Sequence, residues 1–279
     1  MDQSNRLQVP QDRETPVRVE RDLNFAWRYA YARAAETRAV GDQGQDYLTL
    51  CHDERIFSFA LCDGVTLSFY GDLAARFLGN ALMDWLWNGL PATLDAEAIR
   101  LALVAHLHAI TTPATELVQN HPLPQDIPIM LQEVLERKRV VGSESTFICG
   151  RVDLSDPSFP DGRVILAWLG DSRLRCWGPT GECSKDLSGK FKSEHRWSSR
   201  EGPVGSEPYL FVSPLNRDGH QFITDLMAYS DGLNFIDEYT NSLSDLDLQN
   251  LIAQTEQIPT SDDIAFLEVW LRPVSTDHT

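Results

Sequence analysis

From Phe25 onward the chain alternates apolar and polar positions, and FAWRYAYAR puts Trp27, Tyr29 and Tyr31 on one side of an extended strand. DYLTLC (46–51) and RIFSFALCDG (55–64) read as two further strands joined by the polar turn His52-Asp53-Glu54. Over 69–90 the period lengthens: Leu73, Phe77, Ala81, Leu82 and Trp85 recur at three- and four-residue steps, the stripe of an amphipathic helix, closed by Gly89. Two more helical patterns follow, one on Ile99, Leu103, His106, Leu107 and Ile110, the other on Leu131, Val134 and Leu135. The link His121-Pro122-Leu123-Pro124 separates them. STFICGRV (145–152) and RVILAWLGDSRLRCW (163–177) return to strand character across the turn-rich SDPSFPDG. DLMAYSDGL and DDIAFLEVWL supply two more strands around a polar, helix-like segment over 237–257.

Groups of strands and groups of helices in this order predict an α+β fold. Residues 1–22, polar and carrying Pro10 and Pro16, are expected to form a flexible leader. One domain is expected over 23–273 and a tail over 274–279. Residues 178–220, rich in Gly, Ser, Lys, Pro and Glu with little periodicity, are expected to form a functional surface flap.

Composition narrows the function classes. At 42% hydrophobic and 23% charged, the 279 residues can bury a sizeable core. The net charge of -17 repels nucleic-acid phosphates and anionic lipid, so neither is an expected partner. Five cysteines, at 51, 62, 149, 176 and 183, include no C-x-x-C pair and suggest neither a disulfide framework nor a zinc ribbon. With no signal-peptide pattern and no uninterrupted apolar run near the ~20 residues a span needs, the expected location is cytoplasmic.

The candidate chemistry lies in aspartates at strand ends: Asp46 opens DYLTLC, Asp63 closes FALCDG, Asp171 closes LAWLGDS, Asp231 closes AYSDG, and Asp262 precedes IAFLEVW. Any one of them is equally well a turn residue. Five together point to a hard-cation site, because carboxylates cannot gather unless cations or protons neutralise them; composition leaves Mg²⁺, Mn²⁺ and Ca²⁺ undecided.

The ordered set Gly44-Gln45-Asp46, Cys62-Asp63-Gly64, Gly142-Ser143-Glu144-Ser145-Thr146, Leu169-Gly170-Asp171-Ser172-Arg173, Ser230-Asp231-Gly232-Leu233 and Ser261-Asp262-Asp263-Ile264 resembles the metal-dependent protein phosphatases of type 2C, particularly their bacterial branch, over about residues 25–272. The resemblance implies a four-layer α-β-β-α sandwich of two antiparallel sheets flanked by helices, with two Mn²⁺ or Mg²⁺ ions at one end. It implies that Asp63 bridges the ions, that the Gly64 carbonyl ligates one, and that Asp231 and Asp262 ligate the other. It further implies that Asp46 binds directly or through water, and that Asp171 contributes to a weaker third site. The implied activity is hydrolysis of phosphoserine and phosphothreonine on proteins, opposing a kinase, by metal-activated water and with no catalytic side chain.

The chain also departs from that pattern. Where the family usually places a phosphate-binding Arg, five residues before the first Asp, stands Gly41, with Arg38 as the nearest substitute. Val65-Thr66 follows the Asp-Gly element, where eukaryotic members carry a His, and Phe235 stands where a further third-metal Asp is common. Lys190, Lys192, His195 and Arg196 in the expected flap form a basic group that would attract a phosphorylated substrate. Two other functions stay open: a pseudophosphatase that binds a phosphoprotein or regulatory partner, and a phosphatase of small phosphorylated metabolites.

Overall fold

The computed structural model describes residues 5–271 apart from 126, 188–189, 218–219 and 241; the tail expected at 274–279 lies outside them. In chain order the elements are β1 (Arg6–Gln8), β2 (Thr15–Arg21), β3 (Phe25–Ala32), α1 (Ala35–Val40), β4 (Tyr47–His52) and β5 (Ile56–Gly64). Four helices follow: α2 (Gly71–Asp84), continued by a π turn to Gly89, α3 (Ala96–Ala109), α4 (Thr111–Asn120) and α5 (Ile129–Val141). Then come β6 (Glu144–Asp153), β7 (Arg163–Leu169), β8 (Arg173–Gly178), β9 (Gly181–Glu182), β10 (Arg196–Ser198), β11 (Gly202–Val204) and β12 (Tyr209–Ser213). The chain closes with β13 (Asn216–Arg217), β14 (His220–Gln221), β15 (Asp225–Tyr229), α6 (Asp245–Thr255) and β16 (Ile264–Leu271).

Two antiparallel sheets result. One runs β1-β4-β5-β6, and β6 continues on to β7, which pairs β12, and to β10, which pairs β11. The other runs β2-β3-β16-β15-β8-β9. The alternation in β3 does what the sequence predicts: Trp27, Tyr29 and Tyr31 meet Leu48, Leu50, Phe57, Phe59 and Leu61 in a core between the sheets. The opposite face of the first sheet buries Tyr47, Cys62 and Phe147 under Leu78 and Leu82 of α2 and Leu103 and Leu107 of α3. On the far face of the second sheet, Ala30, Met227 and Phe266 pack against Leu248 and Ile252 of α6. The order of layers is helix, sheet, sheet, helix, the expected α+β sandwich.

Helices α3 and α4 together make a 25-residue stretch, Ala96–Asn120, that contains an 18-residue window with a mean hydropathy of 1.2, long and apolar enough by that measure to cross a membrane. On one side of it Ile99, Leu103, Leu107, Ala114 and Val118 are buried against protein, as an amphipathic helix covering a sheet requires, while Leu101 and Leu117 face outward.

Two sequence expectations are corrected here. The leader is not a loose segment over its described residues. β1 pairs β4 from Arg6↔Cys51 to Gln8↔Thr49, β2 pairs β3, and Val9 is buried in the inter-sheet core. Arg6 adds an ion pair to Asp84 at 2.6 Å and a hydrogen bond to Asn80 at 2.8 Å. The pattern of TPVRVER is polar because an edge strand exposes most of its side chains. The flap of 178–220 is likewise smaller than expected. β12 pairs β7 over five residues, from Tyr209↔Trp168 to Ser213↔Val164, and Trp197 of β10 is fully buried, its indole N–H donating to the Leu107 carbonyl at 3.0 Å.

Removing residues 1–22 would strip a strand from an edge of each sheet and open the core at Val9. The truncated chain should melt lower by on the order of 5–10 °C in circular dichroism. Coincident melting curves for the two chains would show that these strands contribute nothing.

Candidate metal centre

Antiparallel pairing places the end of one strand beside the start of its neighbour, and this chain puts an aspartate at each such junction on one end of the sandwich. Tyr47, opening β4, faces Cys62 near the end of β5; Tyr229, ending β15, faces both Arg173 at the start of β8 and Phe266 in β16. Asp46, Asp63, Asp171, Asp231, Asp262 and Asp263 are therefore carried to one rim by the register of two sheets. Asp63 is fixed from behind, because the Ser145 hydroxyl donates to its carbonyl at 2.8 Å. Gly64 must be glycine, since a Cβ there would stand 2.4 Å from the Gly71 backbone at the head of α2.

Asp63, Asp171 and Asp231, all half-buried, each offer an oxygen within 4.8 Å of the others. Asp46 is buried and bonded to Ser230, and its Oδ2 finds no hydrogen-bond partner among the described residues. Nor does the buried Gln45 Oε1. Asp262 is exposed; its Oδ1 accepts the Asp263 N–H at 2.8 Å, and its side chain walls a cavity of about 300 Å³ together with Asp231.

Without a cation the group is electrostatically frustrated. Burial, and then the charges of Asp46, Asp231, Asp262 and Asp171, push the Asp63 carboxyl well above the usual range. Asp46 moves the same way through burial and then Asp263, against the hydrogen bond from Ser230. Asp231 rises to about 6 through burial and then Asp171 and Asp262, partly offset by a hydrogen bond with Asp63 and by the nearby Arg173. Oxygen-only donors, several formal negative charges and an orphaned buried carboxylate oxygen fit a hard divalent cation, which needs such ligands and supplies the missing charge. Asp63, Asp171 and Asp231 would hold it, with Asp46 and the Gly64 carbonyl beside them.

Several solved structures share this architecture. The chain is similar to RsbX in complex with magnesium (12% identity, TM-score 0.54, covering 92% of this chain and all of that one). It is similar to the serine/threonine phosphatase Stp1 from Staphylococcus aureus (15%, 0.55, 94% and 98%). It is also similar to the catalytic domain of the serine threonine protein phosphatase PstP in complex with two manganese ions (14%, 0.53, 90% and 100%). At such identities the likeness defines the fold: the chain has the α-β-β-α sandwich of the bacterial type 2C serine/threonine phosphatases. No protein-family model and no curated protein sequence matches it.

The substrate-binding expectations fare differently. Arg38 does not face the carboxylates freely: its guanidinium donates to the Glu256 carboxylate at 3.1 Å and to the Glu256 carbonyl at 2.6 Å. Gly41 caps α1 in the left-handed conformation, φ +75°, where an arginine would be strained although nothing lies within 4 Å of its Cβ. The flap cations are not a free cluster either. Lys192 pairs with Glu194 at 2.9 Å, Arg196 pairs with Glu144 at 2.6 Å, and His195 is buried; Lys190 alone stands exposed without a described partner.

Sequence reasoning gave no role to two residues that organise the rim. Asp263, buried, accepts the Ala34 N–H at 2.6 Å and the Gln45 N–H, tying β3 and the Asp46 loop to the start of β16. A signal was available, since alternation from Ile264 turns Asp263 and Asp262 to opposite sides. Arg173 donates to the Asp171 carbonyl at 2.5 Å and lies over the Phe191 ring.

The raised carboxyls carry a stability consequence. In metal-free protein the folded state holds protons that the unfolded state has lost, so stability from Asp231 falls as pH climbs from about 4 through about 6, and Asp63 and Asp46 extend the loss upward. Mn²⁺ should therefore raise the melting temperature more at pH 7 than at pH 5. Asp63→Asn in EDTA at pH 7 should be at least as stable as the parent while losing most of the Mn²⁺ shift. Equal shifts at both pH values would remove the electrostatic reading.

Arg38→Ala should cost about 0.5–1 kcal/mol of stability, the worth of a partly exposed ion pair, and leave KM for p-nitrophenyl phosphate within about twofold. A tenfold rise in that KM would return Arg38 to the substrate phosphate.

Proposed function

We propose that this protein hydrolyses phosphoserine and phosphothreonine on protein substrates, opposing a serine/threonine kinase, with two Mn²⁺ or Mg²⁺ ions and a weaker third. The observation that carries the reading is the convergence of Asp63, Asp171 and Asp231 on one rim, with the orphaned Asp46 oxygen beside them. Cations held there would supply the Lewis acidity that activates water and the charge that offsets a phosphomonoester.

The chain's own residues do the rest. Asp63 and Gly64 form a rigid floor, locked by Ser145 behind and Gly71 beside. Asp46, with a buried oxygen that has no described hydrogen-bond partner, would accept a hydrogen bond from water at the metal site and orient it. Arg173 brings the positive charge that partly offsets the carboxylates at Asp231 and is placed to draw in an anionic group. No side chain serves as nucleophile: Cys62 is fully buried, and burial lifts its thiol well above the usual range, which leaves it inert. Against turnover stands the missing phosphate clamp, Gly41 in a helix cap and Arg38 held by Glu256, which favours a pseudophosphatase.

Hydrolysis of p-nitrophenyl phosphate and of phosphoserine peptides, each in EDTA, Mn²⁺ and Mg²⁺, decides between them. Activity should vanish with chelation and return with either ion. Asp63→Asn should lower kcat/KM by two orders of magnitude or more, about 2.7 kcal/mol or more of barrier. Full activity in excess EDTA would overturn the metal-dependent reading, and metal binding without turnover would establish the pseudophosphatase.

A further inference from the structure

The carboxylate rim opens into a cleft that none of the catalytic residues requires. A cavity of about 300 Å³ begins at Asp231 and Asp262 and is bounded by Phe235, Thr255 and Ile258. The same three residues bound a second cavity of about 210 Å³, reaching Glu238, Tyr239 and Leu251. The two adjoin at these residues, along the groove between the turn after β15 and the C-terminal end of α6. Three of its side chains are large apolar or aromatic groups left open to solvent: Phe235 at 44%, Tyr239 at 41% and Ile258 at 37%. Scattered singly, exposed apolar residues need no explanation; converging on a concave wall beside a catalytic rim, they mark a binding surface. Its lining carries Asp231, Asp262 and Glu238 and, among the described residues, no Lys, Arg or His; Arg175, which donates to the Tyr239 carbonyl at 2.9 Å, is paired with Glu182 at 2.8 Å. Another open cavity, about 370 Å³ along α2, contains none of the rim carboxylates.

We propose that this cleft seats the polypeptide flanking the phosphorylated residue, taking an apolar side chain against Phe235, Ile258 and Tyr239 and a cationic side chain at Glu238. The inference rests on the phosphatase reading and gives it a substrate class: phosphoproteins whose modified serine or threonine has apolar and basic neighbours. A phosphoserine placed at the carboxylates must send its chain along one wall of the rim, and this wall is concave, begins at Asp231 and Asp262, and sets Phe235, Ile258 and Tyr239 among polar neighbours. Its negative charge attracts Lys or Arg and repels an acidic segment. Phe235, which stands where a further metal ligand is common in similar phosphatases, thereby becomes a specificity-determining residue.

Short fluorescent phosphoserine peptides test this by anisotropy in Mn²⁺, one series carrying Leu and Lys at successive positions beside the phosphoserine, the other Asp at the same positions. The best Leu/Lys peptide should bind roughly tenfold tighter than its Asp counterpart. Glu238→Gln, on an exposed side chain, should erase most of the Lys preference, and Tyr239→Ala most of the Leu preference, each by roughly fivefold. Hydrolysis of the peptides is followed alongside that of p-nitrophenyl phosphate, which has no chain to place in the cleft. The ratio of the two kcat/KM values should fall with the same variants. Equal affinity for the two series, no binding of either, or preferences untouched by both variants would overturn the cleft. Absence of all hydrolysis would sink the phosphatase reading while the binding preferences still decide the cleft.

Discussion

Repulsion between carboxylates held together is the constraint on which this molecule turns. Two unit charges about 4 Å apart repel by about 4 kcal/mol at an effective dielectric near 20, and a folded domain has a net stability of only about 5–15 kcal/mol. Three carboxylates within 4.8 Å, with Asp46, Asp262 and Asp263 adding to the field, would not gather for the sake of stability. They gather because the chain has no other place for them: each is attached to a strand end, and the strands are locked by hydrogen-bond ladders and by the core between the sheets. The fold spends stability on the rim, and protons or divalent cations relieve it. A site arranged this way is poised to take up charge, which metal-assisted hydrolysis requires.

Other features of the rim follow from the same constraint. The carboxylates can be held rigid only if the backbone behind them is rigid. Gly64 packs on Gly71 more closely than any side chain would allow, Ser145 pins the Asp63 carbonyl, and Asp263 turns its own charge inward to collect two backbone N–H groups. The Glu256 carboxylate takes the nearest free arginine, Arg38, and Gly41 is committed to ending α1. Positive charge near the rim is thus scarce, and Arg173 is the cation that partly offsets Asp231. An anionic group approaching a chain of net charge -17 meets little attraction from the protein alone, so cations at the rim would serve affinity as well as chemistry.

Substrate recognition is correspondingly displaced. Of the basic group expected in the 178–220 segment, Lys192 and Arg196 are paired with Glu194 and Glu144, His195 is buried, and only Lys190 stands exposed without a described partner; β12 in that segment is part of a sheet. On the proposed reading, what the rim would offer a protein substrate instead is the acidic cleft past Phe235, where contact with Phe235, Ile258 and Tyr239 and attraction of a basic neighbour would replace a phosphate clamp. An acidic surface of this kind discriminates between flanking sequences more than it strengthens binding to any one phosphate.

The sequence by itself determined the strands, the covering helices and the aspartates between them. Alternation in FAWRYAYAR and the three- and four-residue stripe through Leu73, Phe77 and Trp85 are local consequences of which face meets the core. The aspartates were legible because each ends or opens an apolar run, and their order along the chain was enough to suggest a cation site. Only tertiary structure decided the rest. β1 and β2 are edge strands, half exposed, so little apolar alternation announces them, and β10 and β12 are short pieces whose partners in β6 and β7, such as Ser145 for Trp197 and Trp168 for Tyr209, lie far back along the chain. Arg38 and Asp263 look like surface charges in sequence and find their partners at Glu256 and at Gln45 and Ala34, more than 200 residues distant. Burial pattern is written locally because each side chain responds to its own element's period; pairing is not, because a side chain's charge can be satisfied by any residue that the register of two sheets happens to bring beside it.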